Sequence, residues 1–599
     1  MILILNKLKF LLKNNLKYID YIDIFNKIQN LDNENITFKN MNIAILRSFT
    51  CDQLKEILTV ELFKENYISN VYISGYNQYV QETLNTESEL YKKKQDIVIL
   101  AVRLEELYPS LFTNFEELKP QIEKLSDIII ENYKYIILNL QKNSKASILI
   151  NNFIIPSDTY SSLCDYMDEF SQMNFIRNLN FKLLKVARKN IGVYIVDVEH
   201  LSANVGKKNI SDKKMWYVSK NPYKLKFYME LSKEYVKYIK AISGNNKKCV
   251  VLDLDNTMWG GIVGENGFNG IKLDDNYPGI CYKDFQRELR KLKNRGIILA
   301  INSKNNYDDA IKIIKEHPDM ILRENDFANI KINWTDKATN IRDIACELNI
   351  GIDSMIFIDD NPAECDLVNQ AFNGVVETIT MPTSPLEYID ILNDLNYFET
   401  LNITGEDINK TEMYRAQVKR NLLKEVYIDL DVYYKSLEMV AYIKCVDDFS
   451  ISRIAQLTQK TNQFNMTTRR YTEEDIKNMI NSDNYKMYYM RVTDKFGDNG
   501  IVGVCIIKGQ LDTWHIDTFL LSCRVMKRNL EDAFMSFVYS KAKNKNIHTI
   551  KGEYIWTPKN ISVGDYYQTV GFISEGNGKF SINITENEIK CPSYIEIRE

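Results

Sequence analysis

The sequence predicts an α/β, multidomain chain, and three observations carry that prediction. Short, continuous apolar runs alternate with helically spaced segments twice, first from Met41 to Val196 and again from Cys249. In the second alternation each apolar run ends in a polar triplet. The last third of the chain instead holds longer strand candidates with helices between them. Continuous apolar strands separated by helices imply parallel sheets buried on both faces. Longer strands mixed with helices imply an α+β domain.

Length and composition agree. At about 150 residues per domain, 599 residues suggest three or four domains. Lys and Arg number 76 against 80 Asp and Glu, a net charge of −4, which excludes a whole-chain nucleic-acid footprint. With 45% hydrophobic and 26% charged residues, and only 11 Pro and 23 Gly, the chain is globular rather than collagen-like or disordered. Ten Cys without a CxxC pair argue against a disulfide framework or zinc ribbon and fit a reducing cytoplasm. The apolar start Met1–Leu12 is interrupted by Lys7 and Lys9. It is too short to span a membrane and has the wrong charge order for a signal peptide. The expectation is a cytoplasmic protein with no membrane or nucleic-acid partner.

The elements follow in order. Residues 1–40 read as a helical lead-in. A first α/β domain, 41–245, has strands at Asn42–Leu46, Asn70–Ser74, Asp96–Val102, Ser147–Ile155 and Gly192–Val196, with helices at Cys51–Phe63 and Leu225–Ile242. The stretch SGNNKK at 243–248 is the linker. A second domain, 246–430, has apolar runs CVVLDL, GIILAI and SMIFI and helices Cys281–Leu292 and Ala338–Leu348: a doubly wound parallel sheet. The third domain, 431–599, has strands Met439–Cys445, Lys486–Val492, Ile501–Lys508 and Trp514–Leu521. Its helices are Ile451–Gln459, Glu473–Ile480 and Leu530–Lys541.

The strongest chemical signal lies in the second domain. The triplets Asp253-Leu254-Asp255, Ser303-Lys304-Asn305 and Asp359-Asp360-Asn361 each follow an apolar run. In open α/β sheets, ligands bind outside the carboxyl ends of the strands, so all three should meet at one edge. Four clustered carboxylates need a cation, and an all-oxygen donor set suits Mg²⁺, with Asp253, Asp255, Asp359 and Asp360 as its candidate ligands. Asp253 can attack a phosphoryl group. Asp255 can protonate the leaving oxygen and then activate water. Ser303 can bond a phosphoryl oxygen, and a lysine, with Lys337 the candidate, can neutralise its charge. The alternative, carboxylates that only cap helices, does not account for three ordered strand-end signals.

This constellation resembles the haloacid dehalogenase (HAD) superfamily of Asp-nucleophile phosphatases and phosphotransferases. VLDLDNTMWGGIVGENGFNGIKL at 251–273, LAINSKNN at 299–306, HPDMILRENDFANIKINWTDKATNIRDIA at 317–345 and IFIDDNPAE at 356–364 narrow it to the FkbH-like proteins, HAD subfamily IIIC. So do LTQKTNQFNMTTRRYT at 457–472, IDTFLLSCRV at 516–525, GYNQYVQET at 75–83 and KKMWYVSKNPY at 213–223. The resemblance implies an enzyme of natural-product pathways that takes the glyceryl unit of 1,3-bisphosphoglycerate, removes phosphate and leaves glyceryl on an acyl carrier protein. The cofactors would be Mg²⁺ and the partner's phosphopantetheine. The stretch from Thr257 to about Cys281 is too short for a large cap domain, which suits a bulky partner. Where family members often read ICSKN, this chain has Asn302. If the acyl-carrying cysteine belongs there it is missing, and Cys281, Cys365 and Cys523 are the other candidates. A stand-alone phosphatase on a small phosphorylated metabolite, and a non-catalytic carrier-protein scaffold, are the alternative readings.

The flanks carry further resemblances. Ser48 after the first strand and Asp197-Val198-Glu199-His200 after the last resemble an SGNH hydrolase, with Ser48 as nucleophile, His200 as base and Asp197 orienting it. The motifs around them depart from that family, so a vestigial or docking domain is expected. The third domain resembles a GNAT acyltransferase. Arg524 keeps the first position of its pyrophosphate turn, while Lys527 and Asn529 stand in place of small residues. Arg524, Asn560 and Tyr567 are then the candidate acyl-donor residues, with Tyr567 either a general acid or a packed core tyrosine.

Overall fold

The computed structural model describes residues 16–31, 38–158, 160–244, 246–510 and 512–599. The Met1–Leu12 run lies outside them, and of the helical lead-in the described part is the helix Tyr18–Gln29. Residues 1–242 and 243–599 form two compact units.

In the first unit, β1 (Lys39–Arg47), β2 (Tyr67–Ile73), β3 (Ile97–Ala101), β4 (Ser147–Asn151) and β5 (Val193–Val196) form a parallel sheet in the order β2-β1-β3-β4-β5. The central strand β3 and its neighbour β4 are buried at every position because helices cover both faces. Helices Gln53–Lys64 and Leu225–Ile242 pack on one face, and Ile122–Asn143 and Gln172–Lys189 on the other. The strand order reverses between β1 and β3, so the crevice where such sheets bind ligands lies beyond Arg47 and Ala101.

The second unit carries two sheets. The first holds β6 (Cys249–Leu252), β7 (Ile298–Ser303), β8 (Asn329–Ile332), β9 (Met355–Asp359) and β10 (Glu377–Thr380), all parallel, in the order β10-β9-β6-β7-β8. β6 is thus the switch-point strand. The short strands β8 and β10 were not expected. Asn329, Lys331, Glu377 and Thr378 break the apolar run that marks β6, β7 and β9. Between Thr257 and the helix Gly279–Asn294 stands one four-residue helix, Val263–Asn266, so no cap domain is inserted in this stretch.

The other sheet comprises β11 (Met439–Cys445), β12 (Phe464–Asn465), β13 (Tyr485–Asp494), β14 (Gly497–Gln510), β15 (Thr513–Leu521), β16 (Thr549–Glu553), β17 (Ile573–Gly576), β18 (Lys579–Asn583) and β19 (Ile595–Arg598). Its order is β17-β18-β16-β15-β14-β13-β11-β19, mostly antiparallel, and the helix Leu530–Asn544 packs into its main core. β15 and β16 pair only over Thr513–His515 and then diverge. The chain's own β12 enters that gap and pairs with Leu520 and Leu521. A buried ion cluster ties the helix Lys410–Val426 to this sheet. Arg420 grips Asp494 through Nε (2.7 Å) and a second nitrogen (2.8 Å), and Arg528 adds a bond of 3.1 Å.

Candidate active site

The three polar triplets converge at the carboxyl edge of β6, β7 and β9. Continuing from β6, the Asp253 amide bonds the Ile358 carbonyl of β9 (3.0 Å), which sets Asp253 beside the end of that strand. Oxygens of Asp253, Asp359 and Asp360 lie within 4.8 Å of one another. Lys337, first residue of the helix Lys337–Leu348, reaches into this cluster. Its Nζ donates to Asp253 and to the Asn302 carbonyl (2.7 Å), and it stands 3.1 Å from Asp359 Oδ2. Asp336 caps the same helix by accepting from the Thr339 amide, which fixes where Lys337 begins.

Burial governs the electrostatics. Asp253 and Asp359 are 7% and 2% exposed. Burial, opposed by Lys337 and reinforced by Asp359, holds Asp253 above the ordinary carboxylate range. Asp360 is likewise raised, by burial and then by Asp359. Lys337 is held above its ordinary value: Asp253 and Asp359 outweigh its own burial.

Ser303 stands beside Asp253 and favours its ionised form. Asn305 Nδ2 links Ser303 Oγ (3.3 Å) to Asp255 Oδ2 (2.9 Å), joining the ends of β6 and β7. The expectation that Asp255 also ligates a metal through its carboxylate is corrected. That carboxylate accepts from the Trp259 indole (2.8 Å), the Val263 amide (3.1 Å) and Asn305, and it stands outside the cluster. These bonds instead fix the orientation of a half-buried acid two residues from Asp253, as a general acid requires.

The remaining donors fit a divalent cation. Three carboxylates with hard oxygens converge, neither His nor Cys joins them, and the Lys337 ammonium beside Asp253 and Asp359 leaves the three acids short of positive charge. Such a set suits Mg²⁺, with Asp253, Asp359 and Asp360 as the residues to hold it.

Several supporting residues escaped the sequence reading. Asn256 takes a left-handed backbone (φ 53°) that turns the chain after Asp255. Its side chain accepts from the Gly261 amide (2.8 Å), and its carbonyl accepts from Tyr388 OH (2.6 Å). Asn302, fully buried, donates to the Lys337 carbonyl (2.9 Å) and accepts from Asn340 (3.0 Å). The only signal for these was a surplus of Asn beside the strand ends. Asn302 occupies a closed structural niche, and a thiol there would face the same buried surroundings. Cys365 is buried, and burial pushes its thiol up to about 11. Cys281 lies half-buried on the helix Gly279–Asn294, its thiol also raised by burial.

The flanking candidates come out differently. Ser48 is fully buried, and its Oγ accepts from the Arg103 amide (2.9 Å). Asp197 Oδ1 accepts from the His200 amide (3.0 Å) and from Asn152 (2.7 Å), so it caps a helix. The exposed His200 ring contacts Asn204 (3.1 Å). No Ser-His-Asp relay forms among them, in line with the vestigial or docking domain expected from the departures in the motifs. Arg103 closes the β1–β3 crevice. Its guanidinium lies 5.3 Å from the rings of both Trp216 and Tyr223 and pairs with Glu105 and Glu106, leaving about 10 Å³.

In the third region the surroundings of Tyr567 favour the second of its two readings, the packed core tyrosine. It is fully buried against Phe572 and Phe580, so close to β16 that a Cβ on Gly552 would meet its ring at 2.5 Å. Asn560, also fully buried, is a loop staple. It donates to the carbonyls of Asn465 and Ile555 (2.9 Å each) and accepts from the Thr557 amide (2.7 Å). β12 covers the β15 edge, so these two residues border no open groove. Arg524 alone faces a cavity. Lys527 and Asn529 keep positive φ (63° and 57°), so the turn retains a glycine-like backbone while carrying side chains.

Sheet order and crevice together define a class: a doubly wound α/β domain with a buried carboxylate–lysine centre at its switch-point strand. Comparison with known proteins places relatives around it. Residues 42–240 match the family model described as FkbH, N-terminal domain. The N-terminal part of the protein BF1531 from Bacteroides fragilis, which contains a phosphatase domain and was solved complexed with Mg, is similar. It is 29% identical with a TM-score of 0.57, over 63% of this chain and 98% of that one. The ribosomal-protein-S18-alanine N-acetyltransferase from Escherichia coli matches 24% of this chain and 94% of its own, at 12% identity and a TM-score of 0.20. The spermidine/spermine N-acetyltransferase SpeG from Vibrio cholerae matches 24% and 95%, with the same identity and score. No curated protein sequence matches the chain. Among the described residues no helix is long and apolar enough to cross a membrane.

Proposed function

We propose that this chain is a Mg²⁺-dependent phosphatase of the HAD type that acts on a phosphoglyceryl group and delivers the glyceryl unit to an acyl carrier protein. The observation that carries the phosphatase reading is Lys337 bridging Asp253 and Asp359 at the end of the switch-point strand. The Mg-complexed relative supports the cofactor, the match of residues 42–240 to the FkbH N-terminal domain supports the FkbH-like reading, and the substrate class is what that resemblance implies.

The residues divide the work. Asp253 attacks the phosphorus of the phosphate ester through a carboxylate oxygen, and the bond to the leaving alkoxide oxygen breaks. Asp255, held by Trp259, Val263 and Asn305, gives that oxygen a proton and then takes one from the water that hydrolyses the aspartyl phosphate. The thioester forms separately: the carrier thiol attacks the carboxyl carbon of the acyl phosphate, and that phosphate leaves. Ser303 and Lys337 offer donors to phosphoryl oxygens as charge builds on them. A bound Mg²⁺ would neutralise the phosphoryl charge and the acid cluster. The absence of a cap inserted after Thr257 suits a group presented by a carrier's phosphopantetheine arm.

The test is incubation with labelled 1,3-bisphosphoglycerate, Mg²⁺ and a holo-acyl carrier protein, followed by intact-protein mass spectrometry. A glyceryl adduct on the carrier is expected, and its absence with every carrier tested rejects the transfer. A second reading, phosphatase only on a small phosphorylated metabolite, is favoured by Asn302 standing where family members often have cysteine. It predicts Mg²⁺-dependent phosphate release without a carrier.

A further inference from the structure

A cavity of about 320 Å³ opens in the second unit, away from the aspartate crevice. Lys248 lines it from just before β6, five residues ahead of Asp253. At about 3.3 Å per residue that is roughly 16 Å along the strand, so the cavity lies toward the amino edge of the sheet whose carboxyl edge carries Asp253. Lys410, first residue of the helix Lys410–Val426, lines another wall. Arg453 and Lys460 come from the helix Ile451–Lys460, and Arg524 follows β15.

The charges do not balance. Lys559 brings the lining cations to six, against three carboxylates, Asp353, Glu406 and Asp407. All three carboxylates are engaged. Asp353 pairs with Lys559 (2.6 Å). Glu406 pairs with Arg453 (2.9 Å), stands 3.6 Å from Arg524 and accepts from the Ile501 amide (2.8 Å). Asp407 accepts from the Thr404 amide (3.0 Å) and Gln456 (3.0 Å). Among the described residues, no direct hydrogen bond or ion pair ends on the Nζ of Lys248, Lys410 or Lys460. Three lysine amino groups therefore face one cavity without a direct ion-pair partner, and Asp407 is the carboxylate that pulls on Lys410 and Lys460. Like charges held out of water repel one another and cost stability until a counter-charge arrives.

We propose that Lys248, Lys410, Arg453, Lys460 and Arg524 form a binding site for a diphosphate-class anion, distinct from the Asp253 crevice. A single carboxylate offers one charge to an excess of three. A lone phosphate fills only part of the space, and Tyr414 and Leu457 on the wall leave room for an organic moiety. The state of the lysines agrees. Burial, then Lys460, pushes Lys410 down to about 7 against the pull of Asp407, with Lys248 and Arg524 adding to the repulsion. Burial pushes Lys460 down to about 8, again opposed by Asp407, with Arg453 and Lys248 repelling. An arriving polyanion therefore draws protons onto the pair.

The test uses the full chain in EDTA, with inorganic pyrophosphate and inorganic phosphate as calorimetric probes. Expected results are 1:1 binding of pyrophosphate at least tenfold tighter than phosphate, and net proton uptake at pH 7 when buffers of different ionisation enthalpy are compared. K410M/K460M should weaken pyrophosphate binding at least tenfold. The single variant K248M, at the half-buried edge, should weaken it several-fold and covers the case in which the double variant misfolds by circular dichroism. D253N should bind pyrophosphate as the parent does. No binding by the parent, unchanged affinity in folded lysine variants, or loss of binding in D253N would each overturn the site. All readouts are of binding, so they stand apart from whether the crevice turns over a phosphoglyceryl substrate.

Discussion

Lys337 Nζ stands 3.1 Å from Asp359 Oδ2 while also donating to Asp253, so one buried ammonium joins a helix start to the ends of two neighbouring strands. Remove it and two buried carboxylates face each other without a counter-charge. Lys337→Met should lower Mg²⁺-dependent hydrolysis of p-nitrophenyl phosphate by about 10²- to 10³-fold, the scale of losing one preorganised charge at a reacting centre. Initial rates at saturating Mg²⁺ check this. A loss under threefold would remove Lys337 from the site.

Asp253→Asn should abolish turnover, by on the order of 10³-fold or more, as expected for a nucleophile. It should also stabilise the metal-free protein. Burial raises the Asp253 pKa in the folded chain, so the protonated form is favoured there and the contribution to stability is lost as pH rises through the folded value. Asn removes that penalty, and Asp359 still holds Lys337. In EDTA at pH 8 the variant's Tm should lie about 2–4 °C above the parent's, corresponding to ~1 kcal/mol, and the gap should narrow toward pH 5. Differential scanning calorimetry across that range is the measurement.

Mg²⁺ affinity should fall with pH for the same reason. Proton and cation compete for one carboxylate whose pKa burial has raised. Below the folded value the apparent affinity should drop by about tenfold per pH unit. Titrations of activity against Mg²⁺ from pH 8 to pH 5 should show this slope in the half-saturating concentration before any loss of fold by circular dichroism.

In the other sheet, Asp494 is fully buried between Arg420 and Arg528. Asp494→Ala leaves two buried guanidinium groups without their shared partner, and removing one member of such a cluster costs about 3–5 kcal/mol. The expected outcome is a lowered urea midpoint and loosening of the helix Lys410–Val426, seen as faster amide exchange there.

The legible part of this molecule was its apolar periodicity and its strand-end acids. β6, β7 and β9 announce themselves because they are buried on both faces, and Asp253, Ser303 and Asp359 follow from where those strands stop, while Lys337 follows from the charge that a phosphoryl site needs. The strands β8 and β10 did not show because Asn329, Lys331 and the exposed Thr380 interrupt their patterns. The bonds of Asp255 were hidden for another reason. Trp259, Val263 and Asn305 lie four to fifty residues away, and only the folded loop brings them to one carboxylate. Ser48, Asp197 and His200 form no working relay, because an Asp three residues before a His serves equally well as a helix cap. The fold chose the cap.

Tyr567 separates motif from environment most sharply. It sits where the resemblance to an acyltransferase expects an acid, yet it is fully buried, and burial pushes its phenol far above the ordinary value. The hydroxyl faces the Glu553 backbone without forming a good hydrogen bond. A buried hydroxyl that gains little from a partner contributes little when removed. Tyr567→Phe should therefore change stability by no more than about 0.5 kcal/mol and leave phosphate release and any glyceryl transfer within twofold of the parent. If the variant kept its urea midpoint and its phosphatase rate but lost transfer to the carrier, the phenol would be a proton donor after all, and the segment Phe464–Asn465 would have to leave the β15 edge during turnover.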